Sequence, residues 1–447
     1  MEQTPNRPSG MFGFTVVWIG QIVSVLASSM SQFALTIFMF QETGSALAMG
    51  TMQVFFITPF LLISPVAGVW VDRYNRKMMM MVSGIAAGIA TLSILLLQAM
   101  GILEYWHLYG ASIIYGLGMA FQWPAYSVAI STMVPKEQLG RANGMMSLID
   151  SGPQVIAPLL AGALLPVIAL TGVLILDVVT FLLAIGALMF VHIPHPVRTK
   201  EGVKSQGEGI LKEAAYGFKY IFARPSLLGL QLIFFAGNLF AGIGFTVLAP
   251  MILTRSGGDS LMFGSVQSAG AIAAVVGGVL MSAWGGFTRR VHGVLLGWMI
   301  SGIGMAITGF AGGLPIWITG IALAAIWGPV VNGSNQAIWQ SKVAPDLQGR
   351  VFSARRLIAW LTNPISPIIG GVLADFVLEP AARAGTGLPS VFSWLVGTGT
   401  GSGMGLLIVF CGLASAIVGF SGYFVHSIRN AETILPDHDS LAKAEPA

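Results

Sequence analysis

The chain has 447 residues, of which 55% are hydrophobic and only 9% charged; its formal net charge is +4 and its mean hydropathy +0.80. A water-soluble domain carries about 25% charged residues, so a chain this long and this apolar cannot hide its hydrophobic surface in a soluble core and needs lipid as its solvent. Its one cysteine, Cys411, excludes an internal disulfide, the 6 histidines show no metal-ligand spacing, and the basic residues are spread over short loops rather than pooled for nucleic acid.

Apolar stretches of about 20 residues recur between short polar breaks, each long enough to cross a bilayer as a helix. Twelve spans are predicted, at about 12–40, 46–71, 78–100, 105–131, 143–169, 171–192, 225–253, 261–285, 289–311, 314–341, 351–378 and 402–427. Between 143 and 192 there is almost no polar break, so the turn near Leu170-Thr171-Gly172 has to be tight. With the N-terminus inside, only Arg255 and Arg383 of the 22 lysines and arginines fall in outer loops, which fits the positive-inside rule and puts both termini in the cytoplasm. Met1 to Gly10 is polar, and the first apolar run is too long for a cleavable signal peptide.

The domains follow from these spans. A six-helix bundle occupies 1–192, a cytoplasmic linker 193–224, a second six-helix bundle 225–428 and a cytoplasmic tail 429–447. Within the linker, 209–220 reads as an amphipathic helix on the membrane surface. The Gly-rich segment 379–401 reads as a flexible external loop, and the polar tail after Arg429 as disordered.

The two halves echo each other. Pro135, Gly140, Arg141, Pro158 and Gly162 recur about 209 positions later as Ala344, Gly349, Arg350, Pro367 and Gly371, with four of the five identical. A basic loop also recurs, as Asp72-Arg73-Tyr74-Asn75-Arg76-Lys77 after span 2 and as Gly285-Gly286-Phe287-Thr288-Arg289-Arg290 after span 8. Repeats of this size point to two bundles that rock about a central site.

The run Gly68-Val69-Trp70-Val71-Asp72-Arg73-Tyr74-Asn75-Arg76-Lys77, between spans 2 and 3, resembles the signature loop of the major facilitator superfamily. The resemblance covers the whole chain. Trp18-Ile19-Gly20-Gln21, Glu42-Thr43-Gly44-Ser45-Ala46, Asp177-Val178-Val179-Thr180-Phe181-Leu182 and Leu347-Gln348-Gly349-Arg350-Val351-Phe352-Ser353 look like the macrolide-efflux branch of bacterial drug exporters. The resemblance implies an all-α polytopic fold of two pseudo-symmetric six-helix bundles. It also implies a cytoplasmic gate formed by Gly68, Asp72, Arg73 and Arg76, with Arg355 and Arg356 of span 11 as partners of the aspartate. Physical chemistry supports Asp72 independently, since a carboxylate at the inner end of a span favours a helix N-terminus or an arginine. For Arg73, Arg76 and Lys77, setting topology is an equal reading. Three departures stand out. Asn75 replaces a family glycine, span 4 has no arginine over 113–118, and Gly152-Pro153 is followed by Ile156-Ala157 rather than the glycine pair of the antiporter motif.

Few ionisable residues lie deep in the spans. Asp150 is nine residues past Arg141, about 13 Å into the bilayer, and Asp177 lies six residues past the outer turn, about 9 Å deep. A carboxylate there must be paired or protonated, which makes both candidates for proton coupling; Asp150 is the preferred one, and for Asp177 structural hydrogen bonding to a neighbouring helix is the preferred reading. Polar residues also align at helical spacing. Gln21, Ser24, Ser28 and Gln32 share a face of span 1, Tyr115, Gln122 and Tyr126 one of span 4, Gln231 and Asn238 one of span 7, and Asn332, Asn335, Gln336 and Trp339 one of span 10. The resemblance makes these four spans line the substrate cavity; for each residue singly, interhelical hydrogen bonding is as good a reading.

No Gly-Lys-Ser/Thr phosphate loop, metal cluster or nucleophile–base set is visible, so no enzyme and no cofactor is expected. The expectation is a secondary active exporter of small amphipathic, macrolide-like substrates, a monomer in the bacterial cytoplasmic (inner) membrane, working by alternating access with proton antiport. Export of a natural metabolite such as a siderophore, lipid transport, or a non-transporting sensor remain the alternatives.

Overall fold

The computed structural model describes residues 10–73, 76–133, 139–191, 217–343 and 345–436. Every regular element among the described residues is helical. Lipid dictates this: it offers backbone N–H and C=O groups no partner, so each crossing must satisfy them internally. The first half contains α1 (Gly10–Thr43), α2 (Ala46–Arg73), α3 (Arg76–Ala99), α4 (Tyr105–Met133) and α5 (Leu139–Phe190). The second contains α6 (Pro225–Arg255), α7 (Ser260–Trp284), α8 (Arg290–Thr308), α9 (Leu314–Ile326), α10 (Gly328–Lys342), α11 (Pro345–Trp360) and α12 (Thr362–Val372). A π-helix (Leu373–Leu378) then leads to α13 (Glu379–Arg383), α14 (Gly387–Val391), α15 (Ser393–Val396), α16 (Ser402–Ser421), α17 (His426–Arg429) and α18 (Ala431–Ile434).

Ten of these stretches are long and apolar enough to cross a membrane. α5 is counted once among them, although Ala169 (φ 55°, ψ 179°) breaks it into two limbs, and α4 stands outside the ten. The chain is an all-α polytopic membrane protein, and with both included the described residues hold the twelve crossings expected. The break at Ala169 falls one residue before the predicted tight turn. α9 and α10 form one crossing, interrupted at Trp327 where Pro329 starts the next helix. Large apolar side chains stay exposed along the crossings, with Leu183 at 66%, Val279 at 63% and Ile417 at 64%, as a lipid-facing surface requires.

The chain forms two compact units. The first is Met1–Val197 together with Gly258–Ser268; the second is Arg198–Gly257 together with Ala269–Ala447. The first turns of α7 thus belong to the first unit. There Ser260 Oγ donates to Gly162 O (3.0 Å), Ser268 Oγ donates to Val155 O (2.6 Å), and Phe263 stacks on Phe33 with ring centroids 4.9 Å apart. The core of this unit gathers Phe14, Val17, Met79, Ile149 and Leu188; that of the second gathers Leu230, Phe234, Val294, Trp298 and Ile338.

Two expectations are corrected. The segment 379–401 is built as short helices rather than a flexible loop. Arg255 donates to the carbonyls of Phe310 (3.1 Å) and Val396 (2.6 Å), and buried Glu379 accepts from Gly401 N–H (2.7 Å), so the segment is pinned at both ends. The tail also continues in ordered form to 436. Lys342 Nζ donates to the carbonyls of Glu432 and Leu435 (both 2.6 Å), and the Glu432 carboxylate accepts from Val291 N–H (3.0 Å) at the start of α8. Composition identified the polar residues here but not the carbonyls and helix end that they serve. Of the linker expected over 193–224, residues 193–216 lie outside the described residues, as does the tail beyond 436.

Small residues set how closely the helices pack. Gly405, Gly412 and Gly419 recur every seven residues on one face of α16, which packs on α8. A Cβ on Gly412 would meet Ala306 N at 2.4 Å and Gly302 O at 2.6 Å, and one on Gly419 would meet Leu295 O at 2.6 Å. Backbone cannot yield to such contacts as a side chain can. Gly412→Val is therefore expected to destabilise the second unit by about 1–3 kcal/mol, read as a lower melting temperature and folded yield in detergent; an unchanged melting temperature would contradict this packing.

Candidate functional site

In the first unit, glycines bring the second limb of α5 against α1 and α3. A Cβ on Gly20 would stand 3.3 Å from the Ala184 backbone, and one on Gly88 would fall 2.3 Å from the Phe181 ring. Two turns from the first contact and one from the second, the same faces carry Ser28, Thr91 and Asp177. The helices are close enough there for short hydroxyls to reach the acid. Asp177 is 2% exposed; its Oδ1 accepts from Ser28 Oγ (2.7 Å) and its Oδ2 from Thr91 Oγ1 (3.0 Å). Ser31 Oγ, also 2% exposed, faces the carboxylate without closing a hydrogen bond, and Tyr115 of α4 lies within electrostatic reach. Among the described residues, none of the partners of Asp177 is a cation.

Beside this cluster is a narrow cleft. Its polar side carries Ser31, Gln32, Thr91, Ser112 and Tyr115, and its apolar side includes Leu35, Met52, Ile94 and Leu108. Elsewhere in the unit, Gln122 Nε2 donates to Gln21 Oε1 at 3.3 Å, tying α4 to α1. Of the residues expected to bind substrate on span 1, the structure thus gives Ser28 to Asp177, Gln21 to Gln122 and Gln32 to the cleft.

The second unit holds a different polar group. Arg355 Nη1 donates to Gln336 Oε1 (2.8 Å), its guanidinium lies 5.3 Å from the Trp339 ring, and its own carbonyl accepts from Gln231 Nε2 (3.2 Å). Trp339 is fully buried in a cluster with Ile221, Leu227, Val343 and Val351, and its Nε1 donates to Asn335 Oδ1 (3.0 Å). Trp339 and Asn335 therefore turn into the packing of this unit, and in this arrangement no ligand reaches them. Helical spacing groups them with Asn332 and Gln336, but that face is divided between packing and surface. Asn332 is exposed and bonds its own helix at Gly328 O (3.0 Å), Gln336 and Asn238 are half-buried, and Arg356 is exposed with its guanidinium 5.7 Å from the Trp360 ring.

Gly68 lies on α2, and the side chains of Asp72, Arg73, Arg76, Tyr126 and Asp150 lie outside the described residues. Sequence reasoning isolated Asp177 but missed Thr91 and Ser31. Their signal is faint: single hydroxyls in apolar runs, indistinguishable from packing until the glycine register is known. Among the described residues, no three His, Cys, Asp or Glu side chains stand close enough together to hold a metal ion.

Comparisons bear on this arrangement. The pattern of the Major Facilitator Superfamily matches residues 17–367. Macrolide efflux protein A of Streptococcus pyogenes is 26% identical over 367 residues, covering 81% of this chain and 89% of that protein. Multidrug efflux pump Tap of Mycolicibacterium fortuitum is 22% identical over 348 residues, covering 75% and 82%. A crystal structure of a bacterial homologue of the iron transporter ferroportin in its inward-facing state shares the fold, with a TM-score of 0.67 at 15% identity over 93% of this chain and 99% of that one. A bacterial homologue of the lysosomal transporter Spinster gives 0.64 at 17% identity over 92% and 94%.

If Ser28 and Thr91 serve the carboxylate, their contributions depend on it. Thr91→Val is expected to lower stability by about 1–3 kcal/mol, and by at least 0.5 kcal/mol or so less when Asp177 is already leucine. Melting curves of the two single variants and the double variant in detergent measure this coupling; strictly additive losses would contradict it.

Proposed function

Because the chain belongs to the Major Facilitator Superfamily, we propose that it is a secondary active exporter of amphipathic, macrolide-like drugs that exchanges them for protons. The relatives named for macrolide and multidrug efflux support the substrate class and the direction. The observation that carries the coupling is Asp177, sealed at 2% exposure with two neutral hydroxyls as its hydrogen-bond donors. A lone carboxylate in such surroundings is costly unless it takes up a positive charge, and a proton is the smallest that fits between two hydroxyls at hydrogen-bond distance. Asp150, which the sequence reading puts first for this task, rests on its sequence position alone.

The remaining assignments follow from the sequence. The asymmetry of lysine and arginine supports both termini inside a bacterial cytoplasmic membrane. Gly68, Asp72, Arg73, Arg76, Arg355 and Arg356 are assigned to gating, on the likeness of the 68–77 loop to the superfamily signature. Gln21, Gln122, Asn238, Asn332 and Gln336 are assigned to substrate contact, on their polar side chains at half-buried or exposed positions of crossing helices. Alternating access then requires one face to close as the other opens, and the proton supplies the free energy for moving drug against its gradient.

Efflux-deficient cells expressing the chain are expected to accumulate several-fold less labelled macrolide than empty cells, and a protonophore should restore accumulation. In the same assay Asp72→Asn should abolish the difference while the protein still reaches the membrane. Low accumulation that ignores the protonophore would remove the proton; no difference from empty cells would remove the substrate class.

A further inference from the structure

We propose that the cleft inside the first unit is the route by which the proton reaches Asp177, so that proton and drug enter by separate paths. This rests on reading Asp177 as the coupling carboxylate and adds where its proton comes from. Along α4, which begins at Tyr105, Leu108 lies about 5 Å and Tyr115 about 15 Å from the helix start. Both line the cleft, as do Met52 near the start of α2 and Ile94 near the end of α3. The cleft therefore runs between the ends of α1 to α4 that carry the 44–45 and 100–104 loops and the level of the acid. Thr91 belongs to both cleft wall and carboxylate, since it lines one and donates to the other at 3.0 Å.

The chemistry of the lining fits a short chain of water. Water needs two to four polar partners, and Gln32, Ser112, Tyr115 and Ser31 of the lining offer them. Ser31 is the shared member: its hydroxyl, 2% exposed, lines the cleft and faces the carboxylate, so like Thr91 it belongs to both. The groups that face Asp177 from the packed helices are Ser28 and Ser31 of α1, Thr91 of α3 and Tyr115 of α4; α2 contributes the apolar Met52 to the cleft. The side chains that the structure sets against Asp177 among the described residues are all uncharged.

The test uses the full chain with its one cysteine replaced, Cys411→Ala, and a new thiol in the cleft, Ala111→Cys. A positively charged, membrane-impermeant methanethiosulfonate is added to intact cells. The thiol should react, and proton-driven macrolide export should fall at least tenfold relative to the same protein before reaction. Saturating macrolide should not slow the reaction. Complete reaction with unchanged export, no reaction at all, or full protection by macrolide would each overturn a separate proton route. Ser112→Cys carries the same test should Ala111→Cys not reach the membrane. Asp177→Asn separates the two claims. If it keeps proton-driven export, the reading of Asp177 itself fails; if it loses export while the filled cleft does not matter, only the route fails.

Discussion

The hydrogen bonds from Ser28 and Thr91 to Asp177 are the contacts on which the first unit's chemistry depends. In water an aspartate would need neither. Inside a membrane protein the same carboxylate has to be answered by whatever the neighbouring helices bring, and here they bring neutral donors. That leaves a charge deficit that a mobile proton can fill and a fixed lysine or arginine would have abolished. A transporter needs such a site to be incomplete, because a group that is permanently paired cannot take up its ion from one side and give it to the other.

Close helix approach makes that chemistry possible. Gly20 and Gly88 remove the side chains that would hold α1 and α3 away from α5, and hydroxyls as short as those of serine and threonine then span the gap. The second unit uses the same device for another purpose. Its seven-residue glycine repeat on α16 seats that helix on α8, and four of its charged residues hold backbone. Arg255 and Lys342 hold backbone carbonyls, and Glu379 and Glu432 hold backbone N–H groups. Among the described residues the two units are thus alike in how helices pack and different in what their buried charges do.

Much of the fold was legible in the sequence because a bilayer imposes a simple length rule, and the crossings follow from it. The tight turn between the limbs of α5 was placed within a residue, since so short a break leaves the chain no room. Asp177 was visible for a related reason, since an acid in an apolar run stands out, although the sequence favoured Asp150 for the proton and left Asp177 a structural hydrogen bond. Its partners were not visible, because whether Thr91 faces an acid or lipid depends on a helix register that only the glycine contacts set. Trp339 and Asn335 show the converse limit. Spacing groups residues on a helix face, yet it says nothing of which part of that face is covered, and both are buried in packing. The folded segment at 379–401 and the clasped tail were missed because charged residues that bond backbone look, in sequence, like charged residues that face water.

The most direct measurement is uptake of labelled macrolide by proteoliposomes with an acidic interior and the membrane voltage held at zero, corrected for protein-free vesicles. The wild-type chain should concentrate the macrolide as protons leave. Asp177→Asn should still exchange labelled for unlabelled macrolide but no longer concentrate it in response to the pH gradient. Concentration by Asp177→Asn at the wild-type rate would contradict the assignment of the proton to this carboxylate.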